Sequence, residues 1–181
     1  MITDEHKTIE AIRSGDESAF RDLFDEFYDD LCNYLKCFIR DYDEVEDQVQ
    51  EVFANIWKTR KTLPEIRSIK GYLFSSVKNK LLDYHKHLSV RIKAADRINE
   101  IFSGVFTGAA REYEEAEMKG ILNEAIKKLP PRRREVFTLI KISGFTYQEA
   151  ADMMGINKKT IEGQLSIAIK TLREILTPLL K

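Results

Sequence analysis

The chain has 181 residues, enough for one domain or two small ones. No apolar run reaches the roughly 18 residues that a membrane-spanning helix needs. The first twenty residues lack an apolar signal core, so the protein is expected to stay in the cytoplasm. A net charge of -1, from 29 Lys/Arg against 30 Asp/Glu, conceals a segregation. Residues 1–65 are acidic, 66–97 basic, 98–126 acidic and 127–181 basic again. Two basic blocks separated by acidic ones suit two separate nucleic-acid contacts better than general stickiness.

The pattern is helical throughout, with no sustained alternation of period two. A first long helix is expected over roughly 16–39, with Phe20, Leu23, Phe24, Phe27, Tyr28, Leu31, Leu35 and Phe38 recurring at three and four. Asp41 to Asp43 interrupt it. A second helix carries Val45, Val49, Val52, Phe53, Ile56 and Trp57, and Leu63-Pro64 ends that region. A third is expected from near Ser68 to about His87, with Tyr72, Leu73, Val77, Leu81 and Tyr84 on its stripe. Residues 91–117 read as a linker, although Ile101, Phe102, Val105 and Phe106 are apolar enough to dock on something. Helical pattern resumes with Met118, Ile121, Leu122, Ile126 and Leu129. Pro131 suits the first turn of the next helix, which carries Val136, Phe137, Leu139 and Ile140 and stops before Gly144.

The densest signal lies between Thr146 and Leu172. Thr146 is an N-cap candidate, and Glu149 three residues on can complete a capping box. Ala150, Ala151 and Met154 then share a helix face, Gly155 suits a tight left-handed turn, and Asn157 can cap a second helix bearing Ile161, Leu165, Ala168 and Leu172. This is the spacing of a helix-turn-helix, in which a small residue such as Ala151 lets the helices cross closely. The second helix offers Lys158, Lys159, Thr160, Glu162, Gly163, Gln164 and Ser166 to a DNA major groove. The fold class expected is all-α. Two small helical domains, 1–90 and 118–181, are joined by the linker, and the second holds the helix-turn-helix.

Catalytic signatures are absent: there is no phosphate-binding glycine loop and no nucleophile elbow. His6, His85 and His87 are not spaced as zinc ligands, and Cys32 and Cys37 do not form a CxxC pair. Two reduced thiols, one or both packed, are expected, and no metal, cofactor or small-molecule substrate. The carboxylates at Asp43, Glu44, Glu46, Asp47 and Glu51 read as a solvated helix face or a protein-binding one.

Four segments in this order resemble the extracytoplasmic-function group of bacterial RNA polymerase sigma factors, and the resemblance covers nearly the whole chain. They are GDESAFRDLFDEFYDDLCNYL, DEVEDQVQEVFANIWK, IKGYLFSSVKNKLLDYHK, and LPPRRREVF followed by GFTYQEAADMMGINKKTIEGQLSIAIKTLRE. The resemblance implies a protein that is not an enzyme. It would bind core RNA polymerase, recognise minus-35 and minus-10 promoter elements, assist melting, and be held by an anti-sigma factor. Asp47, Gln48, Glu51, Val52 and Trp57 would then meet the polymerase. Arg67, Lys70, Tyr72, Lys78, Asn79, Lys80 and Lys86 would hold the melted minus-10 strand, with Tyr72 and Phe74 each suited to stacking on a base or to the core. Arg132, Arg133, Lys158, Lys159, Thr160, Glu162, Gln164, Ser166 and Lys170 would meet the minus-35 duplex, with Arg134 as a further phosphate contact. The family's usual cations are missing at Glu162, Gln164, Ile167 and Ile169, which leaves promoter sequence and affinity open. The alternatives are a self-sufficient helix-turn-helix regulator and a helical protein-binding adaptor.

Overall fold

The computed structural model describes residues 4–95 and 120–178, with side chains described over 4–86 and 120–178. Among these residues the chain is helical and contains no strand. The order is α1 (Glu5–Ser14), α2 (Glu17–Lys36), α3 (Tyr42–Lys58), α4 (Ile69–Ala95), α5 (120–127), α6 (Pro131–Phe137), α7 (Tyr147–Met154) and α8 (Lys158–Leu176). A 3-10 turn spans Arg60–Thr62, and a π-helical turn spans Thr138–Ile142. Residues 101, 102, 105 and 106, expected to dock, lie outside the described residues.

Helices α2 and α3 start where the sequence supplies a cap. The Asp16 carboxylate accepts from the amides of Ser18 at 2.8 Å and Ala19 at 3.1 Å, and Asp41 accepts from Asp43 N–H at 3.1 Å. These satisfy amides that have no partner within the helix. Gly15, at φ +93°, ends α1 in the left-handed region and lets α2 fold back. Helix α1 has little periodic signal, because only Ile9 and Ile12 are buried in it. The third expected helix, foreseen to end near His87, is α4 and runs on to Ala95.

Helices α1 to α4 pack around Ile12, Leu23, Leu31, Leu35, Val45, Val49, Phe53, Leu73 and Val77. Each fully buried side chain of this kind contributes about 1.5–3 kcal/mol of transfer free energy. Helices α5 to α8 pack around Ile126, Leu129, Leu139, Ala151, Ile161, Leu165 and Leu172. The two interiors meet. One buried cluster runs from Tyr34 and Phe74 into Leu139, Phe145 and Ala151, and Cys37 at the end of α2 belongs to the cluster of Ala125, Ile126, Ala168 and Leu172. Both thiols are free and buried, and burial raises their pKa above the ordinary thiol value, as expected of packing residues.

Candidate polymerase and promoter interfaces

The helix-turn-helix forms as its residues dictate. The Thr146 hydroxyl accepts from Glu149 N–H at 3.2 Å, and the Glu149 carboxylate accepts from Thr146 N–H at 2.7 Å, a complete capping box. These hydrogen bonds favour the charged carboxylate and hold the Glu149 pKa below its ordinary value. Gly155 adopts φ +63°, and its N–H and that of Ile156 close α7. Asn157 then caps α8 by accepting from Thr160 N–H at 2.8 Å. Ala150, Ala151, Ile161, Leu165, Ala168 and Leu172 are buried, so one face of α8 is fixed inward.

The opposite face is open. Lys158, Lys159, Thr160, Glu162, Ser166 and Lys170 are exposed, and Gln164 is half-buried at its flank. Arg132 is exposed and Arg133 half-buried on α6. Two apolar positions interrupt this face. Ile167 stands 43% exposed on it, and Gly163 one turn earlier has open space wherever a Cβ would project. Arg134 departs from its expected role. Its guanidinium donates to the carbonyls of Lys127 and Leu129 and lies over the Phe38 ring at 5.8 Å. It closes the C-terminal end of α5 and is not presented to phosphate.

On α3, Asp47 and Glu51 are exposed on one face, with Ala54 and Lys58 further along. Val52 is only 3% exposed and belongs to the core, because it faces the same way as Val45, Val49 and Ile56. Gln48 is half-buried and its amide donates to Glu44 at 2.7 Å. Gln50 is the exposed amide beside Asp47 and Glu51. Gln50 therefore stands where Gln48 is expected, as the amide of this face. Trp57 is half-buried. It lies 4.9 Å from the Phe20 ring and under the Arg60 guanidinium at 4.4 Å, on the rim of a groove with Glu17, Arg21, Phe24 and Ala54.

The minus-10 candidates are distributed unevenly along α4 and the loop before it. Arg67 and Asn79 are exposed. Lys80 pairs with Glu51 of α3, and Lys86 pairs with Asp83 at 3.2 Å. Lys78 pairs with Glu135 of α6 at 2.7 Å, and the Lys70 ammonium lies over the Phe145 ring at 4.5 Å. Tyr72 is half-buried against the core. Phe74 is fully buried, edge-on to Tyr34 and Phe145, so it is a core residue and not a stacking platform. The loop itself is braced by α1. Arg13 donates to the carbonyls of Leu63 at 2.9 Å and Pro64 at 3.0 Å, while Glu5 accepts from Ile69 N–H at 3.3 Å. No group of His, Cys, Asp and Glu able to hold a metal occurs among the described residues. No helix among them is long and apolar enough to cross a membrane.

Along the chain the order is an acidic α3, a basic α4 and an open helix-turn-helix. The family model for Sigma-70 region 2 matches residues 23–91, and that for Sigma-70, region 4 matches residues 119–172. The chain belongs to the sigma-70 family. It is a sigma factor of the extracytoplasmic-function group, and the two matched regions serve promoter recognition and transcription initiation. The ECF RNA polymerase sigma factor RpoE of Cereibacter sphaeroides is 25% identical over 176 residues, covering 95% of this chain and 94% of the relative. Two solved structures share the fold. CnrH in complex with the cytosolic domain of CnrY has a TM-score of 0.69 at 24% identity and covers 94% of this chain and 96% of that one. The sigma factor RpoE in complex with the anti-sigma factor NepR, from Bartonella quintana, has a TM-score of 0.62 at 20% identity, with 94% and 92% covered. A plain regulator or adaptor would leave the region 2 match without a reason.

Proposed function

We propose that residues 1–90 form the unit that meets polymerase and the minus-10 strand, that 91–117 link it onward, and that 118–181 form the unit that reads the minus-35 duplex. Asp47, Gln50 and Glu51 offer carboxylates and an amide to basic groups on the polymerase, with Trp57 at the edge of the contact. Arg67, Lys70, Lys78, Asn79, Lys80 and Lys86 supply a cationic track and one base-reading amide for the separated strand. Lys158 and Lys159 stand at the N-terminal end of α8, where helix dipole and ammonium groups both favour phosphate. Thr160, Glu162, Gln164 and Ser166 read bases, with Lys170, Arg132 and Arg133 on the backbone. The protein melts DNA without changing it chemically, so it is not an enzyme, and it acts in the cytoplasm where its polymerase is. An anti-sigma factor completes the partners.

The observation that carries this reading is the division of α8 into a buried apolar stripe and an open polar face directly after a capped turn. With few strong base contacts, duplex binding by the free chain is weak, and the polymerase raises the effective concentration of both contacts by holding them together. The test is run-off transcription with purified bacterial core polymerase on a promoter library. Enrichment of two elements with a fixed spacing supports the reading. Binding to a single operator without polymerase, and no transcription with it, would return the regulator reading.

A further inference from the structure

The loop in front of α4 is held at both ends by one helix. Leu63 and Ile69 are 7% and 1% exposed, so each anchors the chain in the interior. Between them Pro64, Glu65, Arg67 and Ser68 are exposed and Ile66 is half-buried. The Arg13 guanidinium reaches the entry of this arch, where one terminal nitrogen donates to Leu63 O at 2.9 Å and Pro64 O at 3.0 Å. Its other terminal nitrogen donates to Glu10 at 2.6 Å, which fixes the plane of the fork. Glu5 reaches the exit, accepting from Ile69 N–H at 3.3 Å, and beside it Ser68 Oγ accepts from Gly71 N–H at 3.1 Å. Those amides open α4 and have no partner within it. Glu5, Ile9, Ile12 and Arg13 lie at i, i+4, i+7 and i+8, so they share the face of α1 whose isoleucines are buried. Eight residues of helix set Glu5 and Arg13 about 12 Å apart. Helix α1 is thus a strut of fixed length across the arch. Arg60, which donates to Trp57 O at 2.8 Å and lies over the Trp57 ring, holds the chain leading into it.

Resting on the reading of Arg67 and its loop as a minus-10 contact, we propose that Arg13 and Glu5 of α1 are positioning residues for base discrimination. They touch no DNA. They fix the separation and direction of the two ends of the arch, and with them the places of the loop groups that meet a base turned out of the strand. Such a base is told from the others by hydrogen bonds to its edge. A loop makes those bonds selectively only if it keeps one conformation, since a spread of conformations accepts several bases nearly equally. The lysines of α4 hold phosphates whatever the base, so strand affinity and base choice separate. Helix α4 supplies the first and the braced loop the second. Glu5 in the first turn of α1 and Arg13 in its last also suit the dipole of that helix. A role in α1 alone and a role through the loop therefore differ in what reaches the DNA.

The test uses holoenzyme made from core polymerase and the full chain, as wild type, R13A, R13K, E5A and E5Q. Each selects from promoters randomised over the minus-10 element and, separately, over the minus-35 element. Wild type should show one or two minus-10 positions with a strong single-base preference, which a chain carrying E65A, R67A and S68A together loses. A read base is preferred about 5- to 150-fold over a wrong one, and R13A should lower that ratio at the same positions by about threefold or more. R13K, which keeps the charge and can reach one carbonyl, should fall between. E5Q, which keeps an acceptor for Ile69 N–H, should stay closer to wild type than E5A. Minus-35 preferences should not move. If R13A and E5A select the wild-type minus-10 sequence with only a lower yield of complexes, the proposal is overturned and both residues serve α1 alone. Preferences weakened equally in both elements would overturn it too, since the loss would then be one of fold. An unchanged minus-10 selection by the triple loop variant would instead overturn the reading of the loop as a base contact.

Discussion

Helices α8 and α4 carry the promoter-facing residues of the proposed reading, and they present them in opposite ways. On α8 the polar face from Lys158 to Lys170 is largely open to solvent. On α4 Lys70, Lys78 and Lys80 are each engaged by another element, through Phe145, Glu135 and Glu51. The difference suits what each surface binds in the proposed reading. A duplex groove is available before melting, so a reading face can stand ready. A separated strand exists only after melting, and a cationic aromatic surface left open before then would take any anion. Substitutions on the two helices should therefore behave differently, and the largest effect belongs to the covered one.

Phe74→Ala should cost about 3–5 kcal/mol, the range for emptying a fully buried aromatic site. Phe74 is enclosed by Tyr34 on one side and Phe145 on the other, so little can collapse into the gap. Ile167→Ala on the open face of α8 should stay within about 0.5 kcal/mol. Urea unfolding of both variants makes the comparison directly. A Phe74→Ala loss as small as that of Ile167→Ala would mean that α4 is not packed from both sides.

Arg13→Ala probes the loop in front of α4. Losing charged-donor hydrogen bonds to the Leu63 and Pro64 carbonyls should cost about 1.5 kcal/mol, the low end for such bonds because one of them is exposed. Amide exchange should quicken between Ile66 and Ile69 while α8 amides keep their protection. Uniform quickening would mean that α1 supports the whole domain and not the loop in particular.

These contrasts also mark what the sequence made legible. The capped turn before α8 was readable because each part is local: a threonine and a glutamate three apart, a glycine, an asparagine. The buried stripes of α2, α3 and α8 were readable from period alone. Helix α1 escaped because its ten residues bury only Ile9 and Ile12, too few to show a period. Arg134 looked like one of three equal arginines, but α6 turns it inward onto the carbonyls of Lys127 and Leu129. Gln48 and Gln50 are equivalent in the sequence, and only the geometry separates a half-buried amide from an exposed one. The meeting of Phe74 with Phe145 and of Lys78 with Glu135 joins residues far apart in the chain, and no periodicity encodes it.

The capping box should give the next smaller effect and a pH signature. Thr146→Ala should cost about 1 kcal/mol. The Glu149 pKa is lowered first by its hydrogen bond from the Thr146 amide and then by that from the hydroxyl. The folded state therefore holds the proton less tightly than the unfolded chain. The stability this adds is fully present above the ordinary carboxylate range and is lost as pH falls through the lowered folded value. Glu149→Gln should remove that part of the acid sensitivity, seen as a flatter melting temperature between neutral and acid pH. An unchanged profile would assign the acid sensitivity to other carboxylates.

The smallest effect should also be the sharpest test of the open face, because two measurements are expected to move in opposite directions. Glycine inside a helix costs about 0.5–1 kcal/mol relative to alanine, through the backbone freedom it loses on folding. Gly163 sits in the body of α8, and a Cβ there would meet nothing within 4 Å, so no contact inside the protein requires its absence. Gly163→Ala should thus raise stability by about 0.5–1 kcal/mol, measured by urea unfolding. If α8 lies in a major groove with this face inward, the added methyl meets the base edges between Thr160 and Ile167. Minus-35 affinity in the holoenzyme should then fall, or the preferred base at one position should change, while the chain itself becomes more stable. A stabilised variant with an unaltered minus-35 selection would place the groove contact on another part of the helix, nearer Lys158 and Lys159, and would leave the open face of α8 without a reader at its centre.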